Sequence, residues 1–291
     1  MASSGQVTAL VMAASRRGPK DSVAALCGVS HKCLAPIAGR VMIERVVETL
    51  IASQRVGRVF VSIEDGALLR GVPALARLMD QGRLVAATSR GNLADSVLAG
   101  VEAIEAAGAD AFPLLITTGD NALHTPAVVR DFADALLASE RDITVGVAPE
   151  AAVARDHPGA PIAYHRFRDI SVSGCNLYGL RTERALKAVR VFEGGGQFGK
   201  RHKRILDAFG VMPFILYKTR WATAQGLFDR IGRNLGPTLE PTYLDYGFAP
   251  IDVDNPASYN LSAEILAARA DAAPPAAADP STDPPAGLAS A

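Results

Sequence analysis

Short apolar runs alternate with amphipathic stretches along the first half of this chain, and that alternation constrains the fold most. Val7–Met12 reads as a buried strand, as do Val59–Ile63 and the shorter Leu84–Ala87. Between the first two, apolar residues at 42, 43, 46, 47 and 50 have helical spacing. Residues 92–107 read as a helix with Leu93, Val97, Val101 and Ile104 on one face, and 112–117 as a strand. Residues 125–138 follow as a helix, where Thr125 can cap and Pro126 suits the first turn; a strand over 142–148 closes the series. Strands interleaved with helices predict an α/β fold, a Rossmann-like three-layer sandwich with a mostly parallel mixed sheet.

The second half is less regular. Residues 169–180 alternate and lead to a helix over 183–191. A glycine triplet at 194–196 precedes a basic helical region over 200–209. Residues 222–235 read as a helix, 237–246 as extended, 249–254 as a last strand and 256–270 as a closing helix. The apolar run 209–217 reads as core, with a dimer surface or an interfacial patch as its alternatives. Residues 272–291 are almost all Ala, Pro, Asp, Ser, Thr and Gly, which cannot bury enough apolar surface to offset ordering entropy. The expected organisation is therefore one domain over 1–271, with an acceptor-side lobe at about 150–245, and a disordered tail.

Lys plus Arg and Asp plus Glu both number 30, so no global charge argues for nucleic acid as a partner. The three cysteines form no metal pattern and suit a reduced compartment; no signal peptide or integral membrane segment is visible. A cytoplasmic location is expected, and a homodimer is left open.

Several segments carry chemistry. Val7–Met12 breaks into the small, polar loop Ala13, Ala14, Ser15, Arg16, Arg17, Gly18, where backbone N–H groups and cations can meet a phosphate; an ordinary βα loop is the bland alternative. After an insertion over 20–30, Lys32 sits in an apolar, proline-bearing turn and must place its ammonium in water or on an anion. Asn92 can cap its helix, with Asp95 in the first turn. Gly119 and Asp120 end an apolar strand at the carboxyl edge of the sheet, where ligands bind in open α/β folds and where a carboxylate can take Mg²⁺. Asp252 and Asp254, two apart on an extended segment, point the same way; burying both without a cation would be costly. Lys200–Arg204 form a basic cluster that is a solvated face or a phosphate clamp.

These motifs together resemble the MobA-like nucleotidyltransferases, which run from a strand into Ala-Ala-Gly-x-Gly-x-Arg and then Lys-x-Leu-x-Pro-x-x-Gly-x-Pro-Met-Ile. The chain matches at Ala13-Ala14, at Lys32-Cys-Leu-Ala-Pro-Ile-Ala-Gly39, at Gly119-Asp120 and at Asp252-Val-Asp254. It departs at Ser15, Ala122, Asn255 and Ser258. The resemblance implies the nucleotide-diphospho-sugar transferase fold, GT-A-like. It also implies Mg²⁺-dependent transfer of a nucleoside monophosphate from an NTP to a phosphorylated sugar or alcohol, with release of pyrophosphate. Lys32 and Arg17 would then be catalytic, and Asp120 and Asp254 metal ligands with Asp252 second choice. Residues 13–16, Gly18, Arg90, Asn92, Ser96 and Gly119 would line the nucleotide, and Gly174, Asn176, Lys200 and Lys203 the acceptor. The rival readings are a GT-A-type glycosyltransferase using a nucleotide-sugar donor and a nucleotide-binding protein without turnover.

Overall fold

The structure is a computed structural model that describes residues 5–15, 17–191 and 210–272. Its strands are β1 (Val7–Met12), β2 (Pro36–Ile37), β3 (Arg40–Val41), β4 (Val56–Ile63), β5 (Leu84–Thr88), β6 (Leu114–Thr118), β7 (Ile143–Pro149), β8 (His165–Arg166), β9 (Ser171–Leu180) and β10 (Leu239–Tyr243). Its α-helices are α1 (Ser22–Cys27), α2 (Met42–Ala52), α3 (Ala67–Arg70), α4 (Pro73–Asp80), α5 (Leu93–Ala106), α6 (Pro126–Ala138), α7 (Glu150–Asp156), α8 (Leu186–Arg190), α9 (Val211–Thr219), α10 (Ala224–Leu235) and α11 (Pro256–Ala272).

Seven strands lie in the order β10-β7-β9-β6-β1-β4-β5, and β8 adds to β9 as an eighth. All neighbours on the path are parallel except β9, which runs antiparallel between β6 and β7. β1 is central, pairing Leu10 with Phe60 on one side and with Ile116 on the other. Its side chains alternate across the sheet as a two-residue period demands. Ala9 and Val11 join the core under α2 and α6, while Leu10 and Met12 join the core under α5. The sheet is therefore covered on both faces, as a mostly parallel sheet requires.

α2 buries Met42, Ile43, Val46, Val47 and Leu50, the positions its spacing marks. Each such burial contributes about 1.5–3 kcal/mol, so Val47→Asp would break the layer. Thr125 caps α6 through its side chain, with Pro126 in the first turn. The insertion over 20–30 folds as α1: Asp21 Oδ1 accepts from the Val23 and Ala24 N–H groups, and Gly28 ends the helix at φ +66°. Val23 packs in a third cluster with Ile251, Val253, Ile265 and Leu266, which docks α1 on α11.

Four expectations are corrected. Residues 249–254 form no strand: Pro250 lacks a donor, Ile251 N–H turns back to the Phe248 carbonyl, and Val253 N–H reaches the Asp120 carbonyl. The segment still alternates, with Ile251 and Val253 buried. Leu93 is 50% exposed, because the first residue after the Asn92 cap faces the cleft described below. The helix expected over 183–191 divides into a 3₁₀ turn, Glu183–Ala185, and the short α8. Finally, Val211, Met212 and Ile215 lie exposed on α9 rather than in the core. Residues 200–209 and the tail from 273 onward lie outside the described residues.

Candidate active site

The carboxyl ends of β1 and β6 meet at the floor of a cleft of about 990 Å³. Gly119 N–H donates to the Met12 carbonyl and Ala13 N–H to that of Ser62, locking both strand ends. A side chain at Gly119 would place its Cβ 3.2 Å from the Ala13 Cβ and 3.3 Å from that of Cys33, a tight fit that would push these neighbours apart by a few tenths of an ångström. Beyond it the loop carries Ala14, Ser15 and Arg17 into the cleft wall. Ser15 Oγ accepts from Gly18 N–H at 2.9 Å, and Gly18 takes φ +52°, which glycine adopts freely. Ser15, which stands where the family motif has glycine, thus closes the loop with its hydroxyl.

Glu64, just past β4, is a residue the sequence reading missed. Its Oε1 accepts from Ser15 N–H at 2.7 Å and its Oε2 lies 3.2 Å from His31 Nε2. An acidic residue at the end of the strand beside β1 was the available signal.

Lys32 opens a 3₁₀ turn, Lys32–Leu34, held at its base by buried Cys33, whose thiol donates to the Ala13 carbonyl at 3.5 Å. The turn aims Nζ at two carboxylates, 2.6 Å from Asp120 Oδ2 and 2.9 Å from Asp254 Oδ1. Burial opposes the lysine's charge, yet Asp120 and then Asp254 outweigh it and hold the ammonium above its ordinary range. Asp252 joins them, so that ligand atoms of Asp120, Asp252 and Asp254 all lie within 4.8 Å of one another. Burial, with the charges of Asp120 and Asp254 added, pushes the Asp252 carboxyl up to about 6. Three carboxylates against one ammonium leave excess negative charge, and oxygen donors so placed can hold a hard divalent cation. The expected pair of carboxylates is thus a triad.

Each carboxylate is positioned by its backbone. Asp120 and Val253 share a direct hydrogen bond, tying β6 to the segment that carries the other two. Asn255 Oδ1 accepts from Ala257 and Ser258 N–H, while Ser258 Oγ accepts from Asp254 and Asn255 N–H. This reciprocal cap starts α11 with Asn255 and Ser258, the two residues that depart from the family motif. His124, fully buried, donates Nε2–H to the Ala249 carbonyl at 3.0 Å, and burial lowers its pKa to about 4.

The facing wall is Ser89–Ser96. Asn92 Oδ1 caps α5 at Asp95 N–H. Ser96 is buried; its Oγ accepts from Arg90 N–H at 2.8 Å and lies 2.7 Å from the Asn92 carbonyl. Arg90, Asn92 and Ser96 all line the cleft, but the Ser96 hydroxyl is bonded within its own turn.

Of the acceptor-side candidates, Gly174 is exposed and Asn176, at φ +51°, donates Nδ2–H to Asp252 Oδ2 at 3.0 Å and to Asn121 Oδ1 at 3.3 Å. Neither lines the cleft, although Asn176 reaches the carboxylate cluster. Arg16, Lys200 and Lys203 lie outside the described residues.

Comparison with known proteins places this geometry. A hypothetical transferase from Thermus thermophilus superposes with a TM-score of 0.70 at 23% identity, covering 87% of this chain and 99% of that one. A CMP:2-keto-3-deoxy-manno-octonic acid synthetase bound to CTP gives 0.53 at 14% identity, covering 91% and 99%. The 4-diphosphocytidyl-2C-methyl-D-erythritol synthase of Anaerococcus prevotii gives 0.53 at 8%, with the same coverage. At these identities the likeness is one of fold, that of the nucleotide-sugar transferase type. Among curated proteins, none matches the chain in sequence. The MobA-like NTP transferase domain matches residues 13–222, most of the chain. The chain therefore belongs to the MobA-like NTP transferase family and is a nucleotidyltransferase.

Proposed function

We propose that the protein transfers a nucleoside monophosphate from an NTP to a phosphorylated small molecule, a sugar or alcohol phosphate, with Mg²⁺ bound and pyrophosphate released. The observation that carries this reading is the meeting of Lys32 with Asp120, Asp252 and Asp254 beside the β1 loop, at the floor of the cleft. Burial first, and then the neighbouring charges of Asp120 and Asp254, raise the Asp252 carboxyl; three clustered carboxylates beside one ammonium are a donor set that a divalent cation fits. Asp120, Asp254 and Asp252 would hold the cation. When bound, it would neutralise charge on the phosphates it shares with the protein.

The chain's own groups supply the rest. The loop that carries Ala14, Ser15 and Arg17 into the cleft would face the triphosphate, with the Arg17 cation to offset its charge. Lys32 stands where charge grows as the leaving pyrophosphate separates from the α-phosphorus. The attacking oxygen belongs to the acceptor's phosphate, already an anion near neutral pH, so no general base is needed. The 89–96 wall confines the nucleoside. The cleft as a whole fixes the in-line approach.

Pyrophosphate release tests the reading. The protein is incubated with each common NTP, Mg²⁺ and a panel of sugar and alcohol phosphates. Release that depends on both the NTP and one class of acceptor is expected. Release of a nucleoside diphosphate from a nucleotide sugar would replace the reading with glycosyl transfer. Tight nucleotide binding without any turnover would replace it with a binding role.

A further inference from the structure

α9 is an apolar helix that the fold leaves largely uncovered. Val211 is 62% exposed, Met212 54%, Ile215 44% and Trp221, just after the helix, 72%. These are four of the nine exposed large hydrophobic residues among those described, gathered within eleven positions. Surface apolar residues are ordinary when scattered; a contiguous group marks a contact surface.

Among the described residues, the helix is seated against α10 and against the 165–167 segment. The Tyr217 hydroxyl lies 2.9 Å from His165 Nδ1, and its ring packs edge-on against Phe167 at 6.4 Å. With the helix so seated, Val211, Met212 and Ile215 remain exposed. The helix then ends on Arg220 at φ +58°, a left-handed position where glycine is usual, with Trp221 N–H closing back on the Leu216 carbonyl. An arginine and an exposed indole are therefore held at a turn that disfavours any residue with a Cβ.

Charge identifies the partner. No Asp or Glu occurs from Gly210 to Ala222, whereas Lys218 and Arg220 border the apolar residues. The backbone of Arg168 lies beside them, its main-chain N–H bonded to the Ala222 carbonyl, while the adjacent Asp169 carboxylate is engaged by the Ala224 N–H. A two-fold pairing with a second copy would set these cations against themselves. An anionic bilayer instead offers phosphates to the cations and hydrocarbon to the side chains, with tryptophan suited to the boundary. We propose that α9 and the turn through Trp221 dock peripherally on an anionic membrane surface. No described helix is long and apolar enough to cross a membrane, so the contact is interfacial.

The surface also lies at the working end of the molecule. β8 pairs with β9 at Val172, and Val172 pairs with Pro149 at the carboxyl end of β7, the sheet edge that also carries Asp120. The docking surface stands independently of the transfer chemistry proposed above, and its test uses no nucleotide.

The full chain is sedimented with vesicles of phosphatidylglycerol and phosphatidylcholine, and separately with phosphatidylcholine alone. Binding to the anionic vesicles is expected, with a loss of about tenfold or more in the double variant Ile215→Asp/Trp221→Ala. The variant Lys218→Glu/Arg220→Glu should lose binding to the anionic vesicles specifically. Unchanged melting temperatures would confirm that both variants fold. Failure of the wild type to bind, or equal binding by folded variants, would overturn the proposal. So would a lipid-free dimer of the wild type that the same variants dissociate, which would assign the surface to a second copy.

Discussion

On one side of the cleft, Lys32, Asp120, Asp252 and Asp254 come from three segments far apart in the chain and place charge against charge. On the other side, Arg90, Asn92 and Ser96 lie within one turn and a helix start and bond chiefly to their own backbone. The first wall gathers three carboxylates around one ammonium, an excess of negative charge that the proposed cation would offset. The second is satisfied as it stands. Unbalanced charge is costly in a folded protein, so the proposed chemistry is assigned to the first wall and the shaping of the nucleoside pocket to the second.

The comparison breaks most visibly in turnover. Asp120→Ala should lower it by about three orders of magnitude and Lys32→Ala by about two to three, with circular dichroism unchanged. Wild-type-like turnover in either would remove the first wall from the mechanism. A lesser effect concerns His124, whose pKa falls from 6.5 to about 4 on folding. Between those values the unfolded chain binds a proton that the native state refuses, so stability rises with pH across that window. It is complete above 6.5 and is lost as the pH falls towards 4, by an amount on the order of 3 kcal/mol. His124→Gln, which keeps a donor for the Ala249 carbonyl, should flatten that slope in denaturant titrations.

Asp252 works in the opposite sense. Its carboxyl rises from 3.8 to about 6, so the metal-free fold loses stability as the pH rises between those values, and the loss is complete above about 6. Asp252→Asn should therefore stabilise the metal-free protein at neutral pH by on the order of 2 kcal/mol. A lower melting temperature for this variant would show that its charge is already compensated. The smallest effect belongs to the second wall. Ser96→Ala removes hydrogen bonds to Arg90 and Asn92 and should cost about 1 kcal/mol of stability, with turnover at saturating substrate little changed. A collapse of turnover instead would give this wall a part in the reaction.

How legible each wall was follows from how each is built. α2 and α6 were readable because spacing and capping are local: apolar residues at 42, 43, 46, 47 and 50, and Thr125 followed by Pro126. Asp120 was readable because a strand end is marked by its own residues. The triad was only half readable. Asp252 and Asp254 share a side through their spacing, but what brings them to Asp120 is the Val253–Asp120 hydrogen bond and the His124 brace, which no local pattern announces. Glu64 escaped for the same reason, since its partners Ser15 and His31 lie on other segments. α1, by contrast, was written locally as Asp21 and Gly28 around an apolar stretch and went unread within an apparent insertion. α9 misled because apolar composition was equated with burial, and composition alone does not say which face is covered.

The proposed chemistry requires the three carboxylates to form one cation site beside Lys32. Titration of Mn²⁺, followed by the paramagnetic signal of the free ion, tests this directly in wild type, Asp120→Asn and Asp252→Asn with NTP present. One site is expected in wild type, weakened by about tenfold or more in each variant. Equal Mn²⁺ affinity in all three proteins would contradict it.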